Sequence, residues 1–326
     1  MNSDWKSAIQ YLGGSPEEEQ KIINKLVSEF SQAIKAGAVH TAGQSRKPQH
    51  TKMIAAINNA RLIVADDLPE DLQIGFLKPA KEYPVVIRYS NASTSISRDD
   101  KNDLRGIAIR ITPDTGMEQD FLMTNAELHH AKNAYEAMQT SLALYRQGSM
   151  ARLKGILRLL RTVGLKTTLR IVKTLSGQSK IPVESLATES FYSRSPLRIL
   201  DTAVKYRLKP ILKKTVPDHS NEDLTKEFYN RLHSDDILYE LQVQRFLDET
   251  STPLENSACI WPSEYKTIAL LLIPKQKSSI QENLNVESIH FNPFQCNCPE
   301  IEPIGNMNRL RKYIYLPGPG TKNQSV

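Results

Sequence analysis

Between Arg61 and Ile111 the chain runs in short stretches rich in Val, Ile and Tyr, punctuated by Asp66-Asp67-Leu68-Pro69, Lys78-Pro79 and a polar segment from Asn91 to Asp103. Such runs read as strands separated by turns. The signature returns at Ile237 to Phe246, where Glu240, Gln242 and Gln244 alternate with Leu241, Val243 and Arg245, and at Thr267 to Ile273, apolar enough to be buried on both faces. The middle of the chain is helical in pattern, and strands do not alternate regularly with helices. That order argues against a doubly wound parallel sheet and predicts an α+β fold around an antiparallel sheet. A helix comes first: Ser15 caps it, Pro16 opens it, Glu18 stands three residues after the cap, and Ile22, Ile23, Leu26, Val27, Phe30 and Ile34 form one stripe. The chain divides on this reading into a helical segment over residues 1–40 and one larger unit over 41–326, a single domain overall.

Charge placement says more than charge total. With 326 residues, 40% of them hydrophobic, the chain can build a core, and 42 Lys+Arg against 36 Asp+Glu leave only +6, too diluted to imply a nucleic-acid partner. Between Glu136 and Glu184, however, no acidic residue occurs, while Arg146, Arg152, Lys154, Arg158, Arg161, Lys166, Arg170, Lys173 and Lys180 are basic and Leu153, Ile156, Leu157, Leu160, Val163 and Leu165 sit among them at helical spacing. Two readings stand: packed helices with a solvated basic face, or docking of residues 146–180 to an anionic membrane surface. The longest apolar run, Ile268 to Ile273, is far below the roughly 20 residues of a spanning helix, and the N-terminus lacks a secretory pattern. A cytoplasmic protein with at most a peripheral membrane contact is expected. Three cysteines, Cys259, Cys296 and Cys298, suit neither a disulfide framework nor a structural metal site.

The sequence has no Gly-x-Gly-x-x-Gly, Walker loop, His-Glu-x-x-His or Cys-x-x-Cys-His. Its candidate chemistry is scattered. In the strand Tyr83 to Ser90, period-two alternation puts Arg88 and Ser90 on one face, opposite Ile87 and Tyr89. Asp103 to Arg110 and Asp120 to Asn125 read as further strands. Near the C-terminus, Asn308 to Tyr315 lies between Gly305 and Pro317 and reads as a short helix whose buried side is Met307, Leu310 and Ile314. Arg311 and Tyr315 flank that side at i and i+4, while Arg309 and Tyr313 point elsewhere. An arginine beside a buried phenol favours the phenolate, an oxygen ligand for haem iron; a surface Arg–Tyr stack is the alternative.

Together these segments resemble the catalase family, and most its short bacterial catalase-related haem proteins. Tyr83 to Asn91 resembles the family's strand ending in Arg-Phe-Ser, with Tyr89 for Phe; Asn102 to Ile111 resembles its Asp-x-Arg-Gly-x-Ala stretch; Asp120 to Asn125 resembles the segment ending in the distal asparagine. Arg311-x-x-x-Tyr315 matches the proximal Arg-x-x-x-Tyr, and Pro303 to Arg311 is similar to the Pro-Leu-Gly-x-x-Asn-Arg-x-Arg of the short members. Phe191 to Pro210, Gln242 to Pro262 and Phe291 to Phe294 are also similar, so the likeness covers roughly residues 40 to 316. Of two candidate distal histidines, His50 lies 40 residues before Ser90, which lies 35 before Asn125, close to the family's spacing; His40 falls ten residues too far upstream.

The resemblance implies an antiparallel β-barrel with surrounding helices and haem b in its side, ligated by Tyr315 and braced by Arg311. His50 would be the general acid-base, Asn125 would orient a bound peroxide and Ser90 would hold the histidine. Arg88, with Arg46 or Lys47 beside His50, would pair with haem propionates. The implied activity is cleavage of small-molecule organic or lipid hydroperoxides, by peroxidase chemistry or isomerisation; a small hydrogen-peroxide catalase and a non-catalytic haem-binding protein at a lipid surface are the rivals. The sequence departs from the family at Gln49, valine in true catalases; at Leu316-Pro317-Gly318, where arginines follow the proximal tyrosine; and at His129-His130, which replace an aromatic pair over the haem edge. There His130 would line the cofactor pocket and make it titratable near neutral pH, unless both histidines are surface loop residues. On this resemblance no counterpart of the long tetramer-forming arm or of the extra C-terminal domain of large catalases is expected.

Overall fold

Along the strand Glu82–Asn91 (β2), Tyr83, Val85, Ile87 and Tyr89 are all buried on one side, and Arg88 and Ser90 face the other. This alternation repeats around a closed barrel. The computed structural model describes residues 4–38, 50–93, 96, 98–101, 103–114, 116–144, 149–211, 223–277 and 279–315. Among them an eight-stranded antiparallel barrel runs from Met53–Val64 (β1) through β2, Arg105–Ile111 (β3), Gln119–Thr124 (β4), Phe191–Tyr192 (β5), Thr202–Pro210 (β7), Ile237–Arg245 (β8) and Tyr265–Ile273 (β9) back to β1. Closure comes from the β7–β8 pairing, which leaves no free edge in the ring. Two short strands, Leu197–Ile199 (β6) and Ile301–Pro303 (β10), extend it beside β7.

The lumen is filled by inward side chains including Ile57, Leu62, Ile87, Tyr89, Phe191, Leu208, Tyr239 and Leu271. Tyr89, the departure from phenylalanine, carries a hydroxyl into this core, where it donates to Tyr239 Oη at 3.3 Å while Tyr239 donates to the Leu186 carbonyl at 2.6 Å. The polar atom is therefore partnered, as a buried hydroxyl must be. Burial pushes the Tyr89 phenol upward, so it remains protonated. The strand predicted at Thr267 to Ile273 is buried on the lumen face, with Leu270 and Leu272 half-buried on the outer face rather than fully covered.

Helices pack outside the barrel. Pro16–Ala38 (α1) is capped as predicted, Glu18 N–H donating to Ser15 Oγ at 3.2 Å. Its Ile23, Leu26 and Phe30 share a second core with Ala134 and Met138 of Ala134–Leu144 (α2) and Met307 and Leu310 of Asn306–Tyr315 (α7). Ser149–Thr162 (α3) and Leu165–Ser179 (α4) follow α2, and Gly155 allows the close approach: a Cβ there would meet the Ala143 carbonyl oxygen at 2.3 Å. Leu224–Ser234 (α5) inserts Leu224, Phe228 and Leu232 into the main core. Ile280–Ser288 (α6) packs on β1 and β2 behind the capping box of Ser279 and Glu282.

Candidate active site

The register across β2, β3 and β4 lays two rows of outward residues side by side: Arg88–Ala108–Leu122, and Ser90–Gly106–Thr124 with Tyr192 of β5 next in line. These rows floor a cavity of about 330 Å³, within the roughly 300–1,000 Å³ range of small-molecule pockets. Ala137, Met138 and Ser141 of α2, Phe30 of α1, and Met307, Leu310, Arg311, Ile314 and Tyr315 of α7 wall it. No Asp or Glu among the described residues lines it.

His50 lies over the floor. Its Nδ1 is 3.0 Å from Ser90 Oγ, across the 40-residue interval read from the sequence. The backbone at His50 is in the left-handed region, with φ 56°, an uncommon conformation outside glycine. It is held there by the Arg88 guanidinium, which donates to the His50 carbonyl at 3.0 Å, and by the His50 N–H bond to the Ala92 carbonyl at 3.4 Å. Room for the ring comes from Gly106, where a Cβ would lie 2.5 Å from His50 Nδ1. Burial, then the charges of Arg88, Arg194 and Arg311, lower the His50 imidazole to about 4, so it is neutral at pH 7. Gly106→Ala is expected to push the ring off Ser90. In an NMR titration the His50 resonance should then move from about 4 toward the ordinary value of about 6.5, and an unchanged titration would show that the ring does not depend on this gap.

Arg311 and Tyr315 lie on the cavity side of α7, as the helical register predicted. The Arg311 guanidinium carbon is 5.5 Å from the Tyr315 ring centroid, and its Nη1 donates to Asn308 Oδ1 at 3.2 Å. The competing register is committed elsewhere: Arg309 pairs with Glu19 and Glu255, and Tyr313 is exposed and bonded to Gln20.

Several expected placements differ. Arg88 lines the cavity, but its guanidinium is engaged by Glu287 of α6, Nε to Oε2 at 2.6 Å and Nη2 to Oε1 at 3.1 Å. The charge expected to meet a propionate is already neutralised, and the side chain serves as a strut for His50. Asn125 does not line the cavity: Oδ1 accepts from the Arg105 N–H at 2.8 Å and Nδ2 donates to Glu189 at 3.1 Å. Its carboxamide closes the β3–β4 end and does not face His50's ligand space. His129, not His130, lines the cavity, and the two rings stack with centroids 4.2 Å apart. Both sit half-buried in the loop between β4 and α2, and both imidazoles are held below their ordinary value. Burial and the neighbouring His130 hold His129 well below its ordinary value, while burial and Arg194 lower His130 to about 3. His40, Arg46 and Lys47 lie outside the described residues.

Sequence reasoning missed Arg194. It follows β5 in a left-handed conformation, φ 56°, lines the cavity, and has no hydrogen-bond or ion-pair partner among the described residues. Burial and then Arg311 lower its guanidinium to about 10, still cationic at pH 7. Thr124 Oγ1, on the floor, is likewise buried without a partner. Glu287 was also missed, although the Ser279-x-x-Glu282 box spells the start of its helix.

An eight-stranded antiparallel barrel of this topology with its surrounding helices is the catalase fold. The structure is similar to a bacterial catalase (TM-score 0.66, 14% identity), a fungal catalase (0.66, 15%) and catalase A from Saccharomyces cerevisiae (0.64, 13%). In each case 86% of this chain is covered, and it spans 58, 60 and 62% of those chains respectively. No family model and no curated protein matches the sequence.

Proposed function

We propose that the protein is a haem-dependent hydroperoxidase of the short catalase-related kind, acting on organic or lipid hydroperoxides. The observation that carries this is the presence, in one cavity, of the His50–Ser90 pair and the Arg311–Tyr315 pair. The fold implies haem, and the lining fits it. The walls are apolar at Ile107, Leu122, Met123, Met138, Phe291 and Leu310; two guanidiniums without carboxylate partners among the described residues, Arg194 and Arg311, suit a ligand bearing anionic groups; and Tyr315 offers an oxygen donor. When bound, haem supplies the redox-active iron at which a peroxide O–O bond is cleaved.

The chain's own residues would do the rest. His50, neutral at pH 7, takes the hydroperoxide proton at the ring nitrogen not used by Ser90 and returns it to the leaving oxygen. Ser90 orients the ring, and the Arg88–Glu287 pair fixes the backbone behind it. With Arg88 neutralised, the propionate role passes to Arg194.

The reading is tested by titrating the purified protein with haem, then measuring oxygen evolution from hydrogen peroxide and products from cumene and fatty-acid hydroperoxides. A Soret band with organic turnover supports it. Oxygen evolution alone marks a small catalase, and haem binding without turnover marks a carrier. Arg194→Leu should weaken haem binding roughly 10- to 100-fold, the worth of a charge-assisted hydrogen bond, and leave binding of the haem dimethyl ester unchanged. Equal losses for both would mean that Arg194 acts through packing.

A further inference from the structure

We propose that the α3–α4 pair is a docking surface for an anionic lipid bilayer. The sequence left open whether the leucines of this segment turn inward. In the structure Met150, Leu153 and Leu157 on α3, and Leu165, Leu169 and Val172 on α4, are between 43 and 67% exposed. Their spacings, i, i+3, i+7 and i, i+4, i+7, make one outward stripe on each helix. The inward contacts of α3 are made by Gly155 and Leu159, on its opposite side. So many large apolar side chains turned to solvent in a stretch of about thirty residues mark an interaction site rather than ordinary surface.

Charge selects the occupant. Lys154 and Arg161 flank the stripe on α3, Lys166 and Lys173 flank it on α4, and all four are exposed with no ion pair among the described residues. Arg158 and Arg170, by contrast, are spent on Glu29 and Glu136, so they are not part of the lipid-facing set. No Asp or Glu occurs from residue 137 to 183. Two copies of this face would oppose cation to cation, whereas an anionic headgroup layer offers the complementary charge and an apolar boundary for the leucines. Among the described residues no helix is long and apolar enough to cross a membrane, so the contact is interfacial. It also has a bearing on the cavity: α2, whose Ala137, Met138 and Ser141 line the cavity, packs against α3, and Ile314 both lines the cavity and is 38% exposed. Docking through α3 and α4 thus sets the cavity two helices, α3 and α2, behind the bilayer. The inference does not depend on haem being bound.

Sedimentation of the full chain with phosphatidylcholine vesicles, with and without 30% phosphatidylglycerol, tests it at low salt. The wild type should bind the anionic vesicles and not the neutral ones. Joint reversal by Lys154→Glu, Arg161→Glu, Lys166→Glu and Lys173→Glu should weaken binding on the order of 10²-fold or more, since each cation near such a surface contributes about fivefold. Leu153→Gln with Leu157→Gln, Leu165→Gln and Leu169→Gln should weaken it at least tenfold, and thermal unfolding checks that both variants fold. Equal wild-type binding to both vesicle types, or none, overturns the proposal without any variant. So does a concentration-dependent dimer that the leucine variant abolishes, which would assign the face to a second copy.

Discussion

His50→Ala should lower hydroperoxide cleavage by about 10²–10⁴-fold, the usual contribution of a positioned acid-base group, while the Soret band of the haem-loaded protein stays in place. The ring is the proton carrier, held by Ser90 at 3.0 Å, and removing it leaves Tyr315 and Arg311 untouched on the other wall. Single-turnover cleavage beside the absorption spectrum separates the two effects; a lost Soret band would make His50 a binding residue instead. The same histidine sets the acid limb. Desolvation and the neighbouring guanidiniums lower the half-buried His50 imidazole to about 4, whereas an unfolded histidine takes a proton near about 6.5. Between those values the unfolded chain holds the extra proton, so stability falls as pH falls through that window. In the haem-free protein the imidazole stays neutral throughout it, and an NMR titration of His50 should have its midpoint near pH 4, not near neutrality. A midpoint near neutrality would mean that the site is wetter in solution than its packing implies.

Tyr315→Phe should remove the haem altogether or change its ligation, since it deletes the one phenol that lines the cavity from α7. Tyr313→Phe should leave the spectrum unchanged. Tyr313 is two residues away on the exposed side of the helix, bonded to Gln20. Haem titration of the two variants is the measurement. The reverse outcome, spectral loss at Tyr313 alone, would overturn the assignment of the ligand and with it the haem reading of the cavity.

The antiparallel strands were legible because they obey local rules, whereas their closure into a barrel was implied only by the family resemblance. In β2 the alternation of Val85, Ile87 and Tyr89 with Arg88 and Ser90 separated the lumen face from the face that lines the cavity, and the helical spacing of Arg311 and Tyr315 picked the side of α7 that faces the cavity. The 40-residue interval from His50 to Ser90 survived as a 3.0 Å contact because it spans parts of the same sheet neighbourhood. Strand β7 and helices α5 and α6 were not anticipated. The fold around Arg194 carries little local pattern, β5 and β6 being two and three residues long.

What the sequence by itself determined, then, is periodicity: which residues share a strand face or a helix side, and that residues 137 to 183 carry no acid. Pairing across distant segments was decided only in three dimensions. Glu287 reaches Arg88 across 199 residues and turns an expected propionate ligand into a strut. Asn125 is drawn to Arg105 and Glu189, His129 displaces His130 from the cavity, and Arg194 is left beside Arg311 without a carboxylate among the described residues. The reason is physical: whether a charged or polar group is free for a ligand depends on which oppositely charged or hydrogen-bonding group packs within about 3 Å of it, and residue spacing along the chain does not specify that distance.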